Sequence, residues 1–524
     1  MKSSASTEAS GWPRALSQSH AASRFVPWFL LCSLVFLYLQ NFLLPYTPLY
    51  YSNDAIIFLN HAARMLDGEV IYRDFFQITT PGSELLFFIL FKLFGPRAWV
   101  HNAVMIALGL SLAWLCLAIS RKVITGWKAF LPSLLFLAFQ FRPGLGATHH
   151  RFSVGLVMAA VAVIIERRSA ARLAVAGALC GLASFFTQTN GLVGWLGFAV
   201  FVAWECRRQG AGWRATLKAE AYLGIAFLGT LTATLAYFVW QAGLERFLAC
   251  TIEFPMRYYR SVGHFNTWSG YLRDLTLLDP EYHPSRWAIY LFTYALIPFV
   301  YVVFLFQYRR DARARLPEKW DRLMLLNFVG LSLFLGVAGA PLWYRLSSVA
   351  LPGLILLAWL LNLRGRWRSM LAYSLGLAAL VLLLYTSVSQ QIGWRGEFDL
   401  PAGRTAFQNQ VWYDQYQWLS ERTTPSEYFF AASVHFYFPL RLRNPAEITF
   451  LTPTDYTRPE QVQKIIAGLE EHQVRLVYWK QSLDLPPGRP ILAGDHLEPL
   501  RSYLRDHYQV VKTFAQGNYV WERK

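Results

Sequence analysis

Five short segments dense in arginine and lysine punctuate this chain: residues 121–128, 167–172, 207–218, 309–322 and 364–368. Each is separated from the next by two stretches built almost entirely of Leu, Phe, Ala, Val and Trp. A chain that crosses a bilayer repeatedly keeps its basic loops on the cytoplasmic side, so this alternation predicts a polytopic α-helical membrane protein. The alternation also fixes which loops lie outside. Those outer loops carry the carboxylates, histidines and tyrosines that can do chemistry.

Composition agrees. Of 524 residues, 55% are hydrophobic and 15% charged, too apolar for an ordinary soluble protein. The net charge of +17 would suggest a nucleic-acid partner if it lay on one soluble face. Here most of it flanks apolar spans, topology accounts for it, and no nucleic-acid partner is expected. The five cysteines form no CxxC pair, and four lie in or beside apolar spans. They read as packing residues rather than a disulfide framework or a metal site.

Length and polarity predict about eleven spans. They fall at 26–44, 98–120, 129–141, 152–166, 172–188, 190–205, 221–240, 287–307, 322–339, 344–362 and 369–387. The third and fourth are short, with Pro132 or Gly144 at a tilted or broken end. Starting inside, this count puts all five basic loops in the cytoplasm and the C-terminal region outside. Residues 1–24 read as a disordered cytoplasmic tail and 25–389 as the membrane domain, with long outer loops at 45–97 and 241–285. From about residue 390 apolar runs give way to β-type runs at 427–432, 447–451, 474–479, 509–514 and 519–523. Helical patterns intervene at 460–472 and 497–507, the first with Thr457 and Glu460 spaced as a capping box. Residues 390–524 are thus expected to form a small extracytoplasmic α/β domain.

The first outer loop is the most informative. It reads Tyr51-Ser52-Asn53-Asp54, then an amphipathic helix over 53–66, then Tyr72-Arg73-Asp74-Phe75, Thr80-Pro81-Gly82, a second apolar helix over 82–94, and Gly95. Asp54 sits at a helix start, where exposed N–H groups favour an ionised carboxylate. Such a group near apolar walls can act as general base for an acceptor hydroxyl, although Asn53 or Asp54 can also serve simply as a helix cap. His61, seven residues on, should share Asp54's face. Asp74 can equally be a solvated loop carboxylate, and Glu84 a further one.

Other outer candidates are cationic or aromatic. Arg151 and Arg345 each stand at the outer mouth of a span, against the charge trend, and Tyr344 precedes Arg345. His149 and His150 adjoin Arg151. Gln188 lies in a polar turn between spans, beside Asn190. Arg257, Tyr258 and Arg260 lie in the second long outer loop, where interfacial aromatics with snorkelling arginines are the plainer reading.

The order of aspartate, amphipathic helix, Gly68-x-x-x-Tyr72-x-Asp74, Pro81-Gly82, apolar helix and Phe94-Gly95 resembles the first periplasmic loop of the GT-C superfamily. More narrowly, it resembles the bacterial branch related to protein O-mannosyltransferases and the aminoarabinose transferase of lipid A. The segment from Tyr344-Arg345 to Pro352-Gly353 before a late span, and the α/β tail, extend the likeness over most of the chain. The resemblance implies a GT-C fold and a glycosyltransferase of the bacterial inner (plasma) membrane. Such an enzyme moves a sugar, with inversion, from a polyprenyl-phosphate donor to an extracytoplasmic glycan, lipid or protein acceptor. It implies Asp54 as the catalytic aspartate and Asp74 as the loop's second acidic position. The family often carries an acid in the next outer loop. Here that loop, residues 142–151, has none, so a divalent metal stays unassigned and His149, His150 and Arg151 become candidates for holding phosphate. A departing polyprenyl phosphate is an anion, which gives fixed positive charge there a reason.

The alternative is a transporter or flippase of lipid-linked saccharides. It calls for internal repeats and spans broken near the midplane, and neither is evident.

Overall fold

The computed structural model describes residues 24–141, 146–259, 292, 296–313, 320–339, 343–485, 488 and 490–524. The N-terminal tail, most of the second long outer loop and Arg260 lie outside these described residues.

The chain enters as α1 (Val26–Asn41), started by Pro27, whose fixed φ suits a first helical turn. A two-stranded ribbon follows, β1 (Phe42–Leu43) with β2 (Thr47–Pro48). The outer loop then forms two helices, α2 (Ala55–Leu66) and α3 (Gly82–Phe94). Helix α2 buries Ile56, Phe58, Leu59 and Ala62, which recur at helical spacing. After α4 (Ala98–Val123) comes the stretch expected as a third span. It is not one regular helix: a 3-10 turn (Trp127–Phe130) leads into α5 (Leu131–Leu135), which winds on as a π-helix (Phe136–Phe141). Pro132 lies in the first turn of α5, where a missing N–H costs nothing.

Then come α6 (His149–Ile164), α7 (Ala170–Phe186), α8 (Gln188–Arg208) and α9 (Trp213–Ala242). Short pieces follow, α10 (Leu244–Leu248), a π-turn (Ala249–Glu253) and α11 (Phe254–Tyr258). The membrane domain closes with α12 (Ile297–Arg313), α13 (Trp320–Val337), α14 (Trp343–Ser348), α15 (Leu351–Asn362) and α16 (Arg366–Ile392).

Four of the described helices, α4, α9, α13 and α16, are long and apolar enough to cross a membrane. Helices α1, α6, α7 and α15 are apolar but shorter, at 12 to 17 residues. The chain is a multi-pass membrane protein with this mixture of long and short apolar helices.

Helices α7 and α9 show how the bundle packs. Gly177 and Gly181, one turn apart, abut Leu223 and Phe227, also one turn apart. A Cβ on Gly177 would lie 2.1 Å from the Leu223 carbonyl oxygen, and one on Gly181 2.5 Å from that of Phe227. With no water to expel between spans, such backbone contact supplies the association energy. Gly177→Val should therefore force the helices apart, at a cost of about 1–3 kcal/mol or more. Thermal unfolding in detergent should show a clearly lower midpoint; an unchanged midpoint would mean the helices can separate freely.

All five basic segments meet at one end of the bundle. Lys122 pairs with Glu166 at 2.9 Å, and Arg322 donates to the Lys122 carbonyl at 2.8 Å. Arg168 reaches both Glu205 at 3.3 Å, beside the third segment, and Asp321 at 3.0 Å. Lys128 donates to Ser369 Oγ, next to the fifth, at 3.1 Å. The starts of α2, α6 and α8 lie at the other end.

A small sheet domain caps that other end. The hairpin β3 (Gly396–Leu400) and β4 (Gly403–Phe407) is followed by α17 (Gln410–Ser420). A four-stranded sheet has the order β5 (Phe430–Ala431), β6 (Leu476–Trp479), β8 (Tyr519–Arg523), β7 (Tyr508–Thr513), parallel only between β5 and β6. Between β5 and β6 run the one-turn helix α18 (Tyr437–Leu440) and α19 (Pro459–Glu471), and α20 (Glu498–His507) precedes β7. Residues 447–451, expected as a strand, contribute only an isolated bridge between Phe450 and Ser433. The capping box sits one residue later than expected: Gln461 Oε1 accepts from the Arg458 N–H at 2.9 Å. Thr457 instead takes the Thr452 N–H at 2.8 Å in the interior.

The cap is tied to the first outer loop by backbone groups. The N–H of Tyr50 donates to Ala406 at 2.9 Å, that of Phe76 to Glu447 at 2.9 Å, and that of Ala98 to Ala402 at 2.8 Å. Arg64 donates to the Ala446 carbonyl at 3.0 Å. The last span is also bound to the first: Gln391 Nε2 reaches the carbonyls of Leu39 and Phe42, both at 2.8 Å, and Gln390 Nε2 reaches the Tyr51 hydroxyl at 2.7 Å.

Candidate active site

At the start of α2 the two polar residues divide their tasks. Asn53 Oδ1 accepts the Ala55 N–H at 2.9 Å and so turns the chain into the helix. The carboxylate of Asp54 makes no capping bond. It is half-buried, and burial raises its pKa above the usual carboxylate value while the positive charge of Arg345 pulls it back down. Tyr344 and, from the cap domain, Tyr456 lie near enough to feel the charge of Asp54. The chain therefore keeps an aspartate free of structural duty and sets one guanidinium beside it.

Arg345, on α14, is itself mostly buried. It donates to the Tyr259 hydroxyl, and its guanidinium lies 5.3 Å from the Tyr259 ring centroid and 5.5 Å from that of Tyr344. Both contacts hold a charge against faces it favours.

Arg345 opens onto a cavity of about 510 Å³. Ile78 and Thr79 line it from the first loop, His149 and His150 from the start of α6, and Thr187, Gln188 and Thr189 from the α7–α8 junction. Pro255, Met256 and Tyr259 close it from the second outer loop. The edge of the Phe58 ring, on the α2 face, meets His149 at 5.3 Å between centroids, which places the cavity against α2. Segments far apart in sequence thus converge on one hollow at the end opposite the basic loops.

The sequence candidates divide accordingly. His149, His150, Gln188 and Arg345 line the cavity. Gln188 is engaged: its Nε2 donates to the carbonyls of Ile78 at 2.9 Å and Thr251 at 3.2 Å, and its Oε1 accepts from the Thr80 N–H at 3.4 Å. It pins the first loop to α8. Asn190 lies below, donating to Ser153 Oγ at 2.9 Å and lying 3.3 Å from His150 Nδ1. Tyr344 borders the site through Arg345 and through His150, at 6.4 Å between ring centroids.

Three others lie elsewhere. Arg151 turns away, donating to the Phe141 carbonyl at 2.9 Å and lying over the Phe141 ring at 4.2 Å, so it clamps α6 to the end of the π-helix Phe136–Phe141. Arg257 is exposed and pairs with Glu253 at 2.7 Å. Tyr258 faces the cap domain, under the Arg458 guanidinium at 4.3 Å.

Asp74 is bound within its own loop. Arg73 grips it with two bonds, at 2.9 and 2.8 Å, and its Oδ2 accepts the Val70 N–H at 2.7 Å. The Arg73 hydrogen bonds hold its pKa below the usual value. His61 does not line the cavity either. It is buried beside Phe75 and Gln77, 3.5 Å from Glu84, and burial pushes its pKa down. Among the described residues, no group of three or more His, Cys, Asp or Glu is placed to hold a metal ion.

Sequence reasoning passed over Thr79, Tyr456 and the inward-facing role of Thr187. None carries a composition or spacing signal, since each reaches the site only through tertiary packing.

A helix that begins at Asp54, a cavity against it lined by Arg345, and a sheet domain tied to the same loop are set on a helical membrane bundle. This is the fold of the GT-C membrane glycosyltransferases. The chain is similar over 95% of its length to 98% of ArnT from Cupriavidus metallidurans bound to undecaprenyl phosphate, with a TM-score of 0.60 and 12% identity. It also matches the apo oligosaccharyltransferase of Archaeoglobus fulgidus (TM-score 0.49, 12% identity, 87% of this chain and 69% of that one). A third match is the arabinofuranosyltransferase AftD from Mycobacteria (TM-score 0.46, 14% identity, 95% of this chain and 40% of that one). No protein-family model and no curated protein matches the sequence.

Proposed function

We propose that the protein is a membrane glycosyltransferase that uses a polyprenyl-phosphate-linked sugar and transfers it, with inversion, to an acceptor outside the cytoplasm. The observation that carries this reading is that Asp54, free of capping duty, lies within reach of the charge of Arg345, and that Arg345 lines the cavity. The match to ArnT, whose structure holds undecaprenyl phosphate, supports the same donor class.

In this reading Asp54 takes the proton of an acceptor hydroxyl as its oxygen bonds to the anomeric carbon. The bond from that carbon to the phosphate oxygen breaks, and polyprenyl phosphate leaves as an anion stabilised by Arg345. The proton then passes from Asp54 to solvent. Tyr259 holds the guanidinium in place. Asp74 shapes the loop through Arg73 and Val70. No residue set for a divalent metal is assigned.

The proposal includes about eleven spans, the basic end of the bundle in the cytoplasm and residues 390–524 outside, as the positive-inside rule directs. Reporter fusions beyond residue 390 should be active only on the extracytoplasmic side; activity confined to the cytoplasm would reverse the topology.

The catalytic reading is tested in proteoliposomes loaded with a polyprenyl-phosphate sugar. Acceptor-dependent release of free polyprenyl phosphate is the expected result. Movement of the intact lipid-linked sugar between leaflets, with no release, would instead make the protein a flippase.

A further inference from the structure

The cavity contains polar atoms that the fold leaves unused. Thr187 is 3% exposed and stands at the N-cap of α8, yet its hydroxyl makes no capping bond and meets no other partner. A threonine at that position ordinarily accepts a backbone N–H of the first turn. The Thr79 hydroxyl and His149 Nδ1 are likewise buried without a partner. All three residues line the same cavity, and they come from three separate segments. The backbone around Thr79 is held firmly, since Gln188 binds both its neighbours, Ile78 and Thr80, and the Tyr72 hydroxyl donates to its carbonyl at 2.6 Å. A buried hydroxyl without a partner costs free energy, and three around one hollow point to an occupant that satisfies them.

Resting on the donor reading above, we propose that Thr79, Thr187 and His149 contact the hydroxyls of the donor sugar, and that this sugar is neutral. Each sugar hydroxyl both donates and accepts, as do the two threonine hydroxyls. Arg345 is the only permanently charged residue among the described lining residues. An amino sugar would add a second positive charge to the same enclosed space, where the described lining residues hold no carboxylate and the nearby Asp54 carboxylate already faces the charge of Arg345. A uronic acid would compete with the donor's own phosphate for Arg345.

The test measures binding of four lipids to the full-length protein in nanodiscs: polyprenyl phosphate alone, and the same lipid carrying a neutral hexose, a 4-amino pentose or a hexuronate. The neutral donor should bind most tightly of the four. Thr187→Val, close to isosteric, should weaken the neutral donor about five- to tenfold, the scale of one lost hydrogen bond, and leave the bare lipid phosphate unchanged. Thr187→Ser should restore binding. If Thr187→Val does not reach the membrane, Thr79→Val carries the same expectation.

Tightest binding of the amino or acidic donor would overturn the proposal. So would an equal loss for the sugar-bearing and bare lipids, because Thr187 would then act only through packing. Failure of the wild-type protein to bind even bare polyprenyl phosphate would remove the donor reading itself, and the sugar assignment with it.

Discussion

Asp54→Asn should leave a stable, membrane-inserted protein whose transfer rate is lower by about 10²-fold or more, the usual scale for losing a general base. The substitution preserves size. It removes no capping bond, because Asn53 already turns the chain into the helix. It also removes a carboxylate that burial disfavours, so the fold has no reason to weaken. Loss of activity without loss of stability is the expected signature, read from a transfer assay beside a melting curve. In the wild type, activity should fall on acidification with a midpoint above the ordinary carboxylate range, because burial raises the pKa of the group that must be ionised. By contrast, Asp74→Asn should cost under about 1 kcal/mol of stability and little activity, since its partner Arg73 is half exposed. Near-wild-type transfer by Asp54→Asn would take Asp54 out of the mechanism, and a larger loss from Asp74→Asn would move the base to that position.

Arg345→Gln should be nearly as damaging, and for a separable reason. Without the guanidinium the leaving phosphate loses its fixed positive charge, and an effect of about 10²-fold on transfer is the ordinary scale for one preorganised electrostatic contact. The same change should move the acid limb of the pH profile upward, because the Arg345 charge holds the Asp54 carboxyl down against burial. Arg345→Lys keeps the charge and should recover part of the rate and most of the limb position. An Arg345→Gln enzyme with lowered rate and an unmoved limb would mean that the two groups do not share a site. Arg151→Gln provides the contrast: with its guanidinium bound to the Phe141 carbonyl and ring, its loss should lower stability more than it alters the pH profile.

Periodicity and charge carried the sequence reading a long way, and particular residues show where they stop. The basic loops and apolar runs are properties of composition, so the membrane bundle and the end at which those loops gather were legible. The second loop helix was predicted to its ends because Pro81-Gly82 and Gly95 bracket a run that is apolar from Leu85 to Phe94 except at Lys92. Asp54 stood out as a candidate through its neighbours in the chain. The destination of Arg151 was not. Position at a span mouth tells where a side chain starts, but whether it turns to a cavity or to the Phe141 carbonyl depends on a π-helical turn with no pattern of its own. Likewise Asp74 reads as a second acid until Arg73 and Val70 are seen to hold it. The β3–β4 hairpin escaped notice because five-residue strands joined through Pro401 and Ala402 alternate too briefly to stand out. The Gly177–Gly181 contact had a visible spacing, but its partners on α9 offer only Leu223 and Phe227, two apolar residues among many.

The bonds from Gln390 and Gln391 to the Tyr51 hydroxyl and to the carbonyls of Leu39 and Phe42 join the two ends of the membrane domain just ahead of Asp54. A ribosome makes the aspartate early and the glutamines late. The nascent chain therefore threads most of its spans before the segment carrying Asp54, the proposed base, can be locked in position. Under the proposed mechanism, completion of synthesis becomes the step that arms the site, and a chain stalled before its final span would sit in the bilayer with that site unfinished.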